Sequence, residues 1–412
     1  MKYLVLDDGS FCEASSALSD KGKNEVNYKT VWEKSYASFL DWVPGLGFDG
    51  LKKIKHYAEI AKDMDCIVCF DVNQNDDLVL LKQMFPKKSF FGAGLGEELE
   101  SNRWGMKKLL KRMGLDVMPS WRCKGVDALR KVLSENVEDA FVKIDIFKKD
   151  FESFHAERNE ETEQRLDRIE ADFDVFKNER TFIVEKTIKA PCEAGCDLIF
   201  NGNDFVKPYI YGYELSKVGY VGCVSETLPA PLKATMDKFV PELRRLDYRG
   251  MISTEEKVVS EKEHYVLDIC SRGALPLSIG YTEWIKNWPE VVYKVGLKQP
   301  VRLSIPHKYV AAFPLSSAEN KDKYLKIHLK AKDRNRVKFW FPCKKGEDYY
   351  SIAGSEFAVV LLGWGNSVDE AIDSCIKSAD LVDFEGKECN FEKLTGIKKQ
   401  IDVGKKVGIP FK

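Results

Sequence analysis

The residues of the 412-residue chain best placed for chemistry lie between positions 248 and 276, in YRGMISTEEKVVSEKEHYVLDICSRGALP. The runs MISTEEKVV and YVLDI are β-branched and apolar, and the polar stretch 260–264 separates them, which predicts a β-hairpin. Successive side chains of a strand alternate faces, so Asp268, Cys270 and Arg272 share one face of the second strand. Glu255 and Glu256 lie on the strand before it, and together these residues make a compact site of mixed charge. The same residues also describe an edge hairpin closed by a cross-strand salt bridge. Taken alone, the hairpin favours that simpler structure.

A second position needs a partner. Lys143 sits inside the apolar run DAFVKIDIF, and an ammonium in such a strand must be paired or must reach the edge. The cysteines offer less. There are eleven, an odd number scattered along the chain, which suits reduced thiols. Cys66 and Cys69 have C-x-x-C spacing but fall in DCIVCF, a predicted buried strand, where they point to opposite faces and share no metal. Cys192 and Cys196 flank a predicted turn in CEAGC, and a zinc site there needs two ligands that the sequence does not place.

The elements that must position these residues change character along the chain. Residues 1–96 alternate strand and helix signals: KYLVLD, a helix from 10 to 18, another over 51–62, the strand DCIVCFDV, a helix over 77–84, and KSFFGAG. This rhythm predicts a small, mostly parallel sheet with helices on its faces. Gly92, Gly94 and Gly96 do not open a helix at nucleotide-fingerprint spacing and are expected to form a turn. An amphipathic helix over 97–114 ends at Gly114, a favourable residue just past a helix end. Beyond it, 148–176 is charge-dense with helical spacing, a solvated face. RTFIVEKTI, LIFNGND and VKPYIYGYELSKVGYVGCV then suggest antiparallel strands. After Pro289 short strands such as VRLSI and FAVVLLGWG give way to a helix in GNSVDEAIDSCI, with Ser367 as N-cap and Glu370 as its capping-box partner.

Composition narrows the function classes. Lys+Arg 64 balance Asp+Glu 65, so no global charge argues for nucleic acid or an anionic membrane. No segment approaches ~20 apolar residues, and acidic residues stand where a signal peptide would carry its apolar run. A cytoplasmic protein with no membrane contact is expected.

The order of these signals resembles the ATP-grasp superfamily of ligases, of the phosphoribosylamine–glycine ligase and biotin carboxylase type, in a divergent branch. The resemblance spans most of the chain and lies in motif order rather than in one long string. It implies a multidomain α/β and α+β chain with the ATP-grasp fold: an α/β pre-domain (1–96), a nucleotide clamp (97–295, with a small lobe about 125–190) and a small β-rich C-terminal domain (296–412). Arg103, in SNRWGMKKLLKRMGLDVMP, takes the place of the family's first basic nucleotide contact, usually lysine, and Lys143 that of the second. Val184, Glu185, Lys186 and Ile188 match the adenine hinge strand, and Asp197 the acidic residue that follows it. Glu255 and Asp268 match the metal-binding carboxylates, Arg272 the catalytic arginine, and GWGNSVDEAIDSCI the C-terminal helix.

The activity so implied is ATP- and Mg²⁺-dependent activation of a small-molecule or peptide carboxylate as an acyl phosphate for attack by an amine, releasing ADP and phosphate. Carboxylate oxygens suit Mg²⁺, and a guanidinium fork suits a transferring phosphoryl group. Tyr213 and Glu214, in YIYGYE, are candidates for the acceptor side, with core tyrosines the competing explanation. Trp284 and Trp288, four apart, are expected on one helical face in the core. A homodimer is compatible with the family. Three departures stand out. Cys270 replaces the family's metal-binding asparagine, Asp268 is a methylene shorter than the usual glutamate, and the loop after Lys143 lacks glycines, leaving Lys148 and Lys149 to supply charge. They support an alternative, a degenerate ATP-grasp protein that binds nucleotide or a partner without catalysis.

Overall fold

The computed structural model describes all residues except 33–41, 137, 146–152, 216–218, 356 and 412. The chain opens with a five-stranded parallel sheet. Its strands are β1 (Lys2–Asp7), β2 (Glu25–Thr30), β3 (Lys52–Lys53), β4 (Cys66–Cys69) and β5 (Ser89–Phe91), in the order β3-β2-β1-β4-β5. Every residue of β1 after Lys2 is buried, as a central parallel strand covered on both faces requires. Helices α1 (Cys12–Ala17) and α2 (Asn75–Met84) follow the ends of β1 and β4. Cys66 and Cys69 enter two different hydrophobic clusters, so they point to opposite faces of β4. The helix expected over 51–62 does not form. Ile54 N–H donates to the Tyr28 carbonyl at 2.9 Å, so the segment joins the sheet edge, and only a 3₁₀ turn at Ala61–Asp63 remains helical.

The helix expected over 97–114 is two helices, α3 (Glu98–Ser101) and α4 (Arg103–Arg112). Asn102 leaves the helical region (φ −109°, ψ 77°) and its side chain accepts from Gly105 N–H, making it the N-cap of α4. A small lobe follows, of β6 (Ser120–Lys124), α5 (Val126–Asn136), β7 (Asp139–Ile144), β8 (Ser153–Glu157), α6 (Glu160–Phe173) and β9 (Thr181–Lys186). Its antiparallel sheet, in the order β6-β9-β7-β8, packs on a core of its own that includes Leu129, Val142, Phe154, Leu166 and Phe182. The charge-dense stretch thus holds β8 and α6, with Leu166 and Ile169 turned inward. Lys148 and Lys149 lie outside the described residues.

The rest of the chain comprises β10 (Cys192–Asn201), β11 (Tyr209–Leu215), β12 (Gly219–Ser225), α7 (Ala230–Arg245), β13 (Arg249–Val258), β14 (His264–Cys270), α8 (Leu277–Trp284), α9 (Trp288–Gly296), β15 (Tyr309–Ser316), β16 (Leu325–Leu329), β17 (Val337–Phe339), β18 (Pro342–Lys345), β19 (Asp348–Ser351), β20 (Phe357–Gly365), α10 (Val368–Lys377), β21 (Val382–Asp383) and α11 (Glu392–Lys406). Eight of these strands form one large sheet, in the order β14-β13-β10-β11-β12-β15-β20-β17. Segment 296–412 therefore supplies β15, β17 and β20 to the sheet that carries the hairpin, and a separate small sheet of order β18-β19-β16-β21. CEAGC is not a turn, because residues 192–201 pair with β13 along their whole length. VRLSI is not a strand, although Leu303 N–H donates to the Lys207 carbonyl at 2.8 Å. Trp284 and Trp288 are core residues, but they end α8 and begin α9 rather than sharing one helix. Ser367 caps α10, accepting from Glu370 N–H at 3.1 Å.

Candidate functional site

The hairpin β13–β14 forms as its alternating pattern predicts, at the edge of the large sheet, with Glu255 directly opposite Asp268. A bulge between Glu255 and Glu256 separates the two glutamates. Glu256 turns to α7, accepting from Thr235 Oγ1 at 2.9 Å and meeting His264 Nδ1 at 2.9 Å. Glu255 instead lines a cavity of about 260 Å³ together with Asp268, Cys270 and Arg272.

Arg103, Lys107 and Leu110, one face of α4, form another wall of the cavity. Because Asn102 starts α4, Arg103 stands in its first turn and donates to the Ile144 carbonyl of β7 at 3.0 Å. Along β7, Val142 and Ile144 enter the small-lobe core, and strand alternation sends Lys143 to the opposite face. There Lys143 Nζ meets Asp268 Oδ2 at 3.0 Å and Glu185 Oε2 at 3.4 Å. The buried lysine is therefore paired, on an interior strand, and it stands behind Asp268 rather than on the cavity wall. Lys107 Nζ holds the other Glu185 oxygen at 2.7 Å. The Glu185 carboxylate thus serves two lysines.

A row of glycines crosses three strands, with Gly195 opposite Gly212 and Gly212 opposite Gly222, and the first two line the cavity. A Cβ on Gly195 would fall 2.1 Å from the Thr254 carbonyl oxygen, and one on Gly212 2.3 Å from that of Val221. Tyr220 lies over this row and donates to Asp197 Oδ2 at 3.1 Å. On β10, Glu193, Gly195 and Asp197 share the face that lines the cavity, and Glu214 of β11 joins them.

The charges divide the site into two ends. Although burial opposes it, the Lys143 ammonium, with Arg103 and Lys107 beyond, holds the Asp268 carboxyl below its usual range. Glu255 is pushed well above its range, by burial first and then by the carboxylates of Glu193, Asp268 and Glu214. Burial raises Asp197 to about 7, against the hydrogen bonds from Ser253 and Tyr220. Burial, and Glu100 nearby, also raise the Cys270 thiol well above its ordinary value. It therefore stays protonated and suits a hard cation poorly. Arg272 is held by a second residue of the cavity wall: Nε donates to Glu100 Oε1 at 3.1 Å, and the other Glu100 oxygen accepts from Ser271 N–H at 2.8 Å.

Of the residues singled out in the sequence, the fold brings Arg103, Glu185, Asp197, Glu214, Glu255, Asp268 and Arg272 to the cavity wall, with Lys143 immediately behind. Lys186 is exposed and Ile188 half-buried, both off the wall. Tyr213 is also off it: buried, its hydroxyl donates to the Ile409 carbonyl and its ring packs on Phe411. Lys107, Glu100, Glu193 and the glycine row went unnoticed in the sequence. Of these only Lys107 left a signal, standing one turn after Arg103 on the same helix face.

The donor set fits a nucleotide with a hard divalent cation. Glu255 meets the carboxylates of Glu193 and Glu214 with no cation among the causes of its shift, so this side of the cavity favours a positive occupant. Arg103, Lys107 and Lys143 gather at the other. No family model matches the sequence, and no curated protein matches it. Solved structures do. Phosphoribosylamine–glycine ligase of Thermotoga maritima superposes with a TM-score of 0.67 at 15% identity, over 94% of this chain and 98% of the ligase. Biotin carboxylase of Campylobacter jejuni gives 0.68 at 12%, over 96% and 95%. The biotin carboxylase domain dimer of Hydrogenobacter thermophilus 2-oxoglutarate carboxylase, solved with MgADP and bicarbonate, gives 0.68 at 11%, over 99% and 96%. The chain has the fold of the ATP-grasp carboxylate–amine ligases.

Proposed function

We propose that this protein is an ATP-dependent ligase that activates a carboxylate for attack by an amine. One observation carries the proposal. Basic residues from α4 and β7, acidic residues from β10, β13 and β14, and Arg272 converge on one cavity of a chain whose fold is that of ATP-grasp ligases. When bound, MgATP supplies the activating phosphoryl group and the charge neutralisation that its transfer needs.

In this proposal Arg103 and Lys107 meet the phosphates from the cavity wall, Lys143 adds positive charge from behind Asp268, and Glu185 keeps the two lysines in place. Lys186 and Ile188 belong to the adenine end, beside the exit of β9. Glu255 and Asp268 are the ligands for the cation. Cys270, a protonated thiol beside them, is not. Arg272, its Nε fixed by Glu100, steadies the negative charge that develops on the reacting oxygens. Asp197 and Glu214 both line the cavity, and Asp197 belongs to the nucleotide side and Glu214 to the acceptor side.

The test is ADP release from ATP and Mg²⁺ across a panel of small carboxylic acids, each with and without an amine. ADP release that requires both an acid and an amine, with a condensed product seen by mass spectrometry, is expected. ADP release that never depends on an amine, with a phosphorylated product instead, would contradict ligation.

A further inference from the structure

We infer that Asp7, Asp8 and Asp71 bind a divalent cation at the carboxyl end of the first sheet, apart from Glu255 and Asp268. The topology marks the place. From β1 the chain winds outward through β2 to β3 on one side, and from β4 to β5 on the other. The boundary between β1 and β4 is a topological switch point, where a doubly wound sheet opens a crevice at its carboxyl ends. β1 ends at Asp7, with Asp8 next in the chain, and Asp71 lies two residues past the end of β4.

The side chains suit an ion. One oxygen from each aspartate lies within 4.8 Å of the others, and the three residues are only 0, 4 and 5% exposed. Asp7 Oδ2 is committed, accepting from Tyr28 OH at 2.6 Å and from Phe11 N–H at 3.1 Å. Asp7 Oδ1, equally buried, has no hydrogen-bond partner. A buried acceptor in that state is destabilising, and a coordinated cation would satisfy it. Asp8 Oδ1 accepts from Ser10 N–H and Oγ, and Asp71 Oδ1 from Val72 N–H, so the carboxylates are held in place. All three donors are hard oxygens, and none lies on the wall of the large cavity, so the occupant is ion-sized: Mg²⁺, Mn²⁺ or Ca²⁺. Asp71 also meets Arg272 Nε at 3.6 Å. An ion here would compete with Arg272 for Asp71, coupling the switch point to the large cavity.

Mn²⁺ titrated into the nucleotide-free full chain, with free Mn²⁺ followed by electron paramagnetic resonance, tests this. In a Glu255→Gln, Asp268→Asn double variant about one Mn²⁺ should still bind, and its affinity should fall at least about tenfold on adding Asp8→Asn or Asp71→Asn. Loss of all Mn²⁺ binding in the double variant, or binding unaffected by both aspartate substitutions, would overturn the inference. Should those variants not fold, the double variant itself decides by nuclear magnetic resonance. Substoichiometric Mn²⁺ should broaden the amides of Phe11 and Val72, which donate to Asp7 and Asp71, and their persistence would overturn it.

Discussion

Two glutamates, buried Glu13 and half-buried Glu255, are driven in opposite directions by their surroundings. Glu13 sits where the first sheet meets the C-terminal segment. It accepts from Arg334 at 2.8 and 3.2 Å and from Phe339 N–H at 2.8 Å, with Lys338 at 3.8 Å. Arg334 in turn stacks over Phe339, 4.4 Å from the ring centroid. Burial alone would raise Glu13, but Arg334 and Lys338 hold it below its usual range. Glu255 is surrounded by other carboxylates and is raised. The same residue type is locked into a closed set of partners in one place and left, on a cavity wall, with excess negative charge in the other. What distinguishes structure from function here is the set of partners each carboxylate meets.

Breaking the closed cluster should have the largest effect. Glu13→Ala leaves Arg334 and Lys338 without their shared carboxylate and should cost about 3–5 kcal/mol in urea unfolding. Glu255→Gln should do the reverse. It relieves repulsion, so the unfolding midpoint stays level or rises, while ADP-forming turnover falls on the order of 10²-fold. A stability loss at Glu255 matching that at Glu13 would erase the contrast.

Asp197 sharpens the comparison through pH. Its folded value of about 7 lies above that of an unfolded aspartate, about 3.9. The native state therefore binds the extra proton. This stability is complete below pH about 4 and is lost as pH rises through about 7. Asp197→Asn should remove a wild-type decline on the order of a few kcal/mol between those limits, measured as the difference between the two proteins' denaturation midpoints at pH 5 and pH 8. The smallest effect is expected at Tyr213. Tyr213→Phe removes the hydrogen bond to Ile409 and should cost about 1 kcal/mol, with steady-state kinetics unchanged.

What was legible in the sequence follows the same division. Lys143 stood out because a lysine interrupts an apolar strand, and Glu255, Asp268 and Arg272 because strand alternation puts them together before any fold is known. Lys107 carried only a weak signal, its helical spacing from Arg103, because Lys111 continues the same spacing and only the fold decides which faces Glu185. Glu100 and Glu193 acquire meaning only through partners 172 and roughly 60 positions away along the chain. The segment 51–62 misled because Ile54 and Tyr57 have helical spacing while a free sheet edge offers Ile54 a better hydrogen bond. Tyr213 and Glu214 are neighbours on one strand, and alternation alone sends one to the core and the other to the cavity.

The central claim is that Arg103 and Lys107 of α4, backed by Lys143 of β7, form a nucleotide site. Calorimetric titration of the full chain with a non-hydrolysable ATP analogue and Mg²⁺ tests it most directly. The account predicts saturable binding in the wild type, unchanged in Tyr213→Phe and lost in Lys143→Met while the variant remains folded by circular dichroism. An absence of binding in the wild type, or equal affinity in folded Lys143→Met, would contradict it.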